Sequence, residues 1–557
     1  MGASPGEAGA TRPAGTVFRG GIVYTADARR TTADAVAVAG GRIVCVGTSD
    51  DMSPFIGVRT EVVDLGGRML LPGFIDSHAH PSETVEYVYG VSLMGLGSVA
   101  RYKEAVGAFA AEHPDLPGIR GWGWSNVVAP GPGLSAADLD EAVPDRPAMI
   151  RSEDGHSLWV NTAALRLAGV AARTPDPRNG VIERDAVTGE PSGTLREGAM
   201  QLVQRAFPPY TADECAAGLL RFQEEVAAPL GITTVFNAMS LPGDPVLEAF
   251  EELQDEDRLT VRYRGGLWLQ SDLPLDEQVR AAVAERARHT GPLFQTRAVK
   301  LFADGVIEGH TAYLEEAYAD TPGDRGFPEW APEDLAQASV AAAREGFQLH
   351  YHAIGDAAVA MALDAVATVR AAGVATERPG ITHLQLVRPR DLARFADLGV
   401  VAVTNPYWFF KDDYFYDLQV PYLGEARAER EYPMRGFVAA GVHVASASDY
   451  PVTVPPSPLA GIQIGVMRRS PGEAKPGDVL WPEERVNVAQ MIDSFTIEGA
   501  YAHFLESETG SIEVGKSADL VVVDRDLLSV PPDEIGDAKV LLTMVQGRQV
   551  YRDSAFS

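Results

Sequence analysis

Two histidines, His78 and His80, stand one residue apart in the stretch LPGFIDSHAHP at 71–81. They close an apolar run of the kind that forms a buried strand. Side chains of a strand alternate between faces, so both imidazoles point the same way. Two neutral imidazoles on one face can ligate a divalent cation, which then needs further ligands. The chain offers them far away. His352 stands in LHYHAIGD, His383 in ITHLQ and Asp449 in SASDYP, each near the end of a short apolar run. Only 11 histidines occur in the whole chain, and four of them fall in these places. That coincidence marks a candidate metal centre.

Lys300 belongs with the set. It ends the run RAVK and shares a strand face with Ala298, Phe302 and Asp304. Desolvation disfavours a buried ammonium. Such a lysine either pairs with a carboxylate such as Asp304 or loses its proton. The neutral amine can add carbon dioxide and become a carbamate, an anion that metals at the neighbouring histidines would hold.

Something must bring these groups together. Seven apolar runs punctuate the middle of the chain: GITTVFNA (231–238), TVRYRGGLW (260–268), TRAVKLFADG (296–305), GFQLHYHAIGD (346–356), RPGITHLQLV (378–387), GVVAVTNPYW (399–408) and GVHVASASDYP (441–451). Stretches with helical spacing separate several of them, such as APEDLAQASVAAAREG and DAAVAMALDAVATVRAAG. With the run ending at FIDSHAH the count is eight, which predicts an α/β fold, a (β/α)8 TIM barrel over 71–81 and 231–500. Residues 82–230 do not fit the repeat and read as a large insertion after strand one, rising from the mouth where active sites of this fold lie. Short strands fill both ends, and Gly40-Gly41 reads as a hairpin turn. They predict a composite β-sandwich from 17–70 and 501–557, after a loose Gly-, Ala- and Pro-rich tail at 1–16.

The formal net charge is −30, from 47 basic and 77 acidic side chains. Nucleic acid and anionic membrane surfaces would repel such a chain. The two cysteines, Cys45 and Cys215, make no disulfide framework, and the N-terminus lacks the marks of a signal peptide or anchor. The expectation is a soluble cytoplasmic protein acting on a small molecule, with a homodimer as the default assembly.

The motifs PGFIDSHAHP and GSIEVGKSADLVVVD resemble the amidohydrolase superfamily. DGHSLWVNTAAL, GEPSGTLRE, VKLFADGVIEGHTA, HAIGD and SDYP are similar to its branch that includes N-substituted formamide deformylases. The resemblance spans nearly the whole chain. It implies a barrel metallohydrolase with one or two Zn2+ ions and carboxylated Lys300 as a bridging ligand. By motif position His78, His80, Lys300, His352, His383 and Asp449 match the metal site. The expected reaction is hydrolysis of a carbon–nitrogen bond in an amide, N-formyl or N-acyl amine, with Asp449 as general acid and base. One segment, TNPYWFFKDDYFY, departs from the family by its aromatic content.

Further candidates surround that centre. His156 either reaches the mouth to hydrogen-bond the substrate carbonyl or orders the helix that follows it. Trp122, Trp124, Tyr407 and Trp408 form an apolar pocket or ordinary core. His310 follows strand four and could line the site, whereas His350 lies one layer deeper and reads as packing. Competing readings are a mononuclear deaminase, a metal-assisted lyase and a catalytically silent binding protein.

Overall fold

The computed structural model describes residues 13–375, 378–472 and 477–556. Eight strands run parallel in one sheet. They are β1 (Phe74–Ala79), β2 (Ile232–Ser240), β3 (Arg262–Trp268), β4 (Phe294–Phe302), β5 (Gln348–Ala353), β6 (Gly380–His383), β7 (Val401–Thr404) and β8 (Val444–Ser446). Each pairs with its successor in chain order. The segment after β8 returns to β1. The Asp449 N–H donates to the His78 carbonyl at 2.8 Å, and the His80 N–H to the Tyr450 carbonyl at 2.6 Å. The result is a nearly closed parallel barrel, and the strands fall on the eight runs read from the sequence.

The helices follow from their ends and their spacing. The helix Pro332–Arg344 opens on a proline, carries Glu333 and Asp334 in its first turn, and ends with Arg344. Each placement suits the exposed backbone groups and dipole at that end. It buries Leu335, Ala338, Ala342 and Ala343, a three-to-four spacing that presents one face to the barrel. The helix Asp356–Ala371 buries alanines and valines almost all round, because it packs between neighbours.

Strands from both chain ends share a second eight-stranded sheet. Leu520–Val523 pairs antiparallel with Met69–Pro72, which joins the C-terminal strands to the N-terminal ones. The hairpin at Gly40-Gly41 is present, with both glycines at positive φ and Ala39 opposite Arg42. The strands of the two ends are hydrogen-bonded through one continuous sheet. Residues 1–12 of the expected tail lie outside the described residues. Ala14 and Gly15 are already tied down, donating N–H bonds to the carbonyls of Phe55 and Val38.

One buried ion pair joins this sheet to the barrel. Arg262 on β3 donates to Asp519 at 2.6 Å, and both side chains are fully buried. Removing one partner leaves the other charge without compensation. Arg262→Ala is therefore expected to cost about 3–5 kcal/mol of unfolding free energy, read from urea denaturation.

Between β1 and β2 the chain builds a third, six-stranded sheet with its own core around Tyr102, Trp124, Leu139 and Trp159. Cys45 and Cys215 are both free. Among the described residues no helix is long and apolar enough to cross a membrane.

Candidate active site

All six expected ligands line one cavity at the mouth of the barrel. They arrive from the ends of β1, β4, β5, β6 and β8. His78 Nε2 lies 3.2 Å from Lys300 Nζ and 3.4 Å from Asp449 Oδ1. His80 Nε2 lies 3.2 Å from the same Asp449 oxygen. Donor atoms of His78, His383 and Asp449 all fall within 4.8 Å of one another. The His352 and His383 rings are 4.6 Å apart.

The donor set fits a divalent cation. Ligand atoms about 2.1 Å from a common ion sit roughly 3.0–3.5 Å from each other, which is the spacing seen around Asp449. Asp449 Oδ1, beside the His78 and His80 imidazoles, is buried without a well-formed hydrogen bond. Buried polar atoms left in that state are exceptional and call for a missing partner. Two of the ligands also hold a left-handed backbone, His383 at φ +75° and Asp449 at φ +59°. Such conformations persist where the surroundings over-determine them, most often at functional sites.

Supporting contacts aim the ligands. His350 Nε2 is 2.7 Å from His78 Nδ1 and the rings stack at 4.9 Å. His350 lies deeper, as expected, yet it does more than pack, because it leaves His78 Nε2 facing the mouth. Asn405 Oδ1 holds His383 Nδ1 at 3.1 Å. Asp304 does not pair with Lys300. It accepts N–H bonds from Tyr313, Ile354 and Gly355, fixing the loop beyond β4 against the end of β5.

The electrostatics favour ligation. Burial and then Lys300 hold His78 well below the usual imidazole range, and burial does the same to His352. Burial takes His383 down to about 3. Neutral rings have lone pairs to give. Burial also brings Lys300 down to about 7, which favours its neutral amine. Burial alone would raise Asp449, but His383, His78 and His80 outweigh it and keep the carboxylate ionised.

His156 reaches the mouth from the insertion, its ring 5.1 Å from that of His352. Its Nδ1 is 2.8 Å from Glu197 Oε2, and Thr311 donates to Glu197 Oε1 at 2.7 Å. Burial would depress His156, but Glu197 outweighs it and lifts the imidazole to about 9, so it stands as a cation.

The aromatic candidates separate. Trp122 lines the metal cavity, while Trp124 is sealed in the insertion core and donates its indole N–H to the Ile150 carbonyl. A bulge between them, with Gly123 at φ +98°, breaks the alternation that would have put both on one face. Tyr407 and Trp408 line an adjoining recess, and Trp408 stacks on His383 at 5.5 Å. His310 lines neither cavity. It faces Asp320 at 3.0 Å and packs on Tyr318 and Tyr422, while its neighbour Thr311 turns inward. Glu197, Asn405 and Thr311 were missed as site residues, although all three stand in motifs quoted above.

The amidohydrolase family model matches residues 61–551. This chain belongs to the amidohydrolase family. It is a hydrolase by family. Protein LONG AFTER FAR-RED 3 of Arabidopsis thaliana is 31% identical over 97% of this amidohydrolase and 93% of its own length. The N-substituted formamide deformylase of Arthrobacter pascens is 29% identical, over 94% of this chain and 96% of its own. The crystal structure of an uncharacterized metal-dependent hydrolase from Pyrococcus furiosus shares the fold, with a TM-score of 0.70 at 24% identity, covering 92% of this amidohydrolase and 100% of that chain.

Proposed function

We propose that this amidohydrolase cleaves the carbon–nitrogen bond of a small N-formyl or N-acyl amine at a zinc centre. The observation that carries the reading is the convergence of His78, His80, Lys300, His352, His383 and Asp449 on one buried cavity. The activity named for the Arthrobacter pascens relative supports the substrate class. His78, His80 and Asp449 would hold one ion, and His352 and His383 a second, with carboxylated Lys300 between them. When bound, zinc supplies a Lewis acid for the carbonyl and makes water acidic enough to react near neutral pH.

The chain's own groups do the rest. Asp449, ionised and with an oxygen that makes no well-formed hydrogen bond, takes the proton of the attacking water and passes it to the leaving nitrogen. An amide nitrogen leaves poorly as an anion, so this delivery is required. His156, held cationic by Glu197, donates toward the carbonyl oxygen as negative charge grows there. Trp122, Tyr407 and Trp408 wall the substrate off from water. We place the reaction in the cytoplasm.

His78, His383 and Asp449 alone would suffice for one ion, which favours a second reading, a mononuclear deaminase. Metal analysis and a substrate panel separate the two. Dialysis against a chelator is expected to abolish turnover of N-formyl and N-acyl amines, and two equivalents of zinc to restore it. Undiminished turnover in metal-free protein overturns the proposal, and full recovery with one equivalent favours the mononuclear site.

A further inference from the structure

The recess beside the metal cavity has a composition of its own. Tyr407, Trp408, Phe410, Tyr414 and Tyr432 wall it. It shares His156, His352, His383 and Asp449 with the metal cavity, so a substrate whose reacting bond lies at the ligands can extend into it. Its charged lining is almost all of one sign. Glu153, Asp154, Glu308 and Asp412 face it, and among the described residues no lysine or arginine does. His156, which also faces the recess, is already held by Glu197 at 2.8 Å. Lys411, on the same aromatic segment, is turned away to Glu429 and the Gly477 carbonyl.

These acids are held in place. The Tyr414 hydroxyl donates to Glu153. Asp154 accepts from the Asn126 amide at 2.5 Å and the His156 N–H at 2.9 Å. Asp412 accepts the Phe415 N–H at 3.0 Å. Burial, with Asp154 adding to it, pushes Glu308 up to about 7, and burial raises Glu153 as well. Carboxyl groups crowded in a partly desolvated recess repel one another until a cation arrives. Aromatic faces attract the same ligand through their quadrupole, and more strongly where water is excluded. A purely apolar substituent would desolvate these acids further without supplying a counter-charge.

We propose that the recess binds an organic cation, so that the substrate carries an ammonium or quaternary ammonium group apart from the bond that is cut. The link to a substrate rests on the carbon–nitrogen hydrolase reading, whereas the cation site itself does not. The test uses the zinc-loaded full chain and two probes of one shape, choline and its uncharged dimethylbutanol isostere. Both carry the same hydroxyl, so any contact with zinc cancels. Calorimetry is expected to show choline binding about tenfold or more tightly than the isostere. Glu308→Gln and Trp408→Leu are each expected to shrink that advantage, with melting curves reporting that each variant is folded. Undetectable choline binding, equal binding of the two probes, or an advantage that survives in both variants overturns the proposal.

A second arm compares two N-formyl amines ending in trimethylammonium or tert-butyl. The cationic one is expected to have the higher kcat/KM by about tenfold. Selective choline binding with neither compound hydrolysed overturns the N-formyl amine reading and leaves the cation site standing. Hydrolysis of both at equal rates, without choline selectivity, does the reverse.

Discussion

Lys300→Ala is expected to lose bound zinc and to show no measurable turnover of N-formyl or N-acyl amines. Its Nζ lies 3.2 Å from His78 Nε2, inside a cavity that excludes the lysine from solvent altogether. No carboxylate sits within ion-pair distance of it among the described residues, and burial disfavours its ammonium. A lysine kept there against that penalty has a use for its amine, and the proposed carbamate is one that draws the two groups of histidines together. Removing it deletes the anion that would bridge them. Metal analysis of the purified variant, beside intact-mass measurement on the parent under native conditions, reads the effect. A variant with full zinc and full activity refutes the two-metal arrangement.

Asp449→Asn is expected to keep most of its metal and to turn over at least about 10²-fold more slowly, the usual contribution of a positioned general base. The amide retains an oxygen that can face the histidines but takes no proton from water. The oxygen at issue is Asp449 Oδ1, which lies 3.2–3.4 Å from two imidazoles and makes no well-formed hydrogen bond. Single-turnover kinetics together with zinc content separate a lost proton relay from a lost ligand. Wild-type rates in Asp449→Asn exclude Asp449 from proton transfer.

The metal-site candidates were legible because each stands where an apolar run stops. In a parallel barrel those stops share one rim, so polar residues there are neighbours in space even when hundreds of residues separate them. The helices were legible for the same reason, since their periodicity and end residues are local. The supporting residues were not. Glu197 meets His156 across 41 positions of the insertion, and Asn405 reaches His383 from the neighbouring strand end. Nothing in their immediate surroundings names the partner.

Trp122 and Trp124 mark the boundary between the two kinds of information. Strict alternation puts both indoles on one face, and one bulge at Gly123 sends one to the cavity and the other to the core. His310 and Thr311 differ in the same way, because the path of the loop after β4 chooses which of two adjacent side chains faces inward. The amino-acid order by itself determined the barrel, its eight strands and the six groups at its mouth, since strand and helix periodicity and burial of apolar runs are properties of short segments. Only the tertiary structure decided which aromatics wall the site, what holds His156 and His383 in place, and that the adjoining recess is lined by acids. Those outcomes depend on bulges, loop paths and contacts between distant segments, which no local pattern encodes.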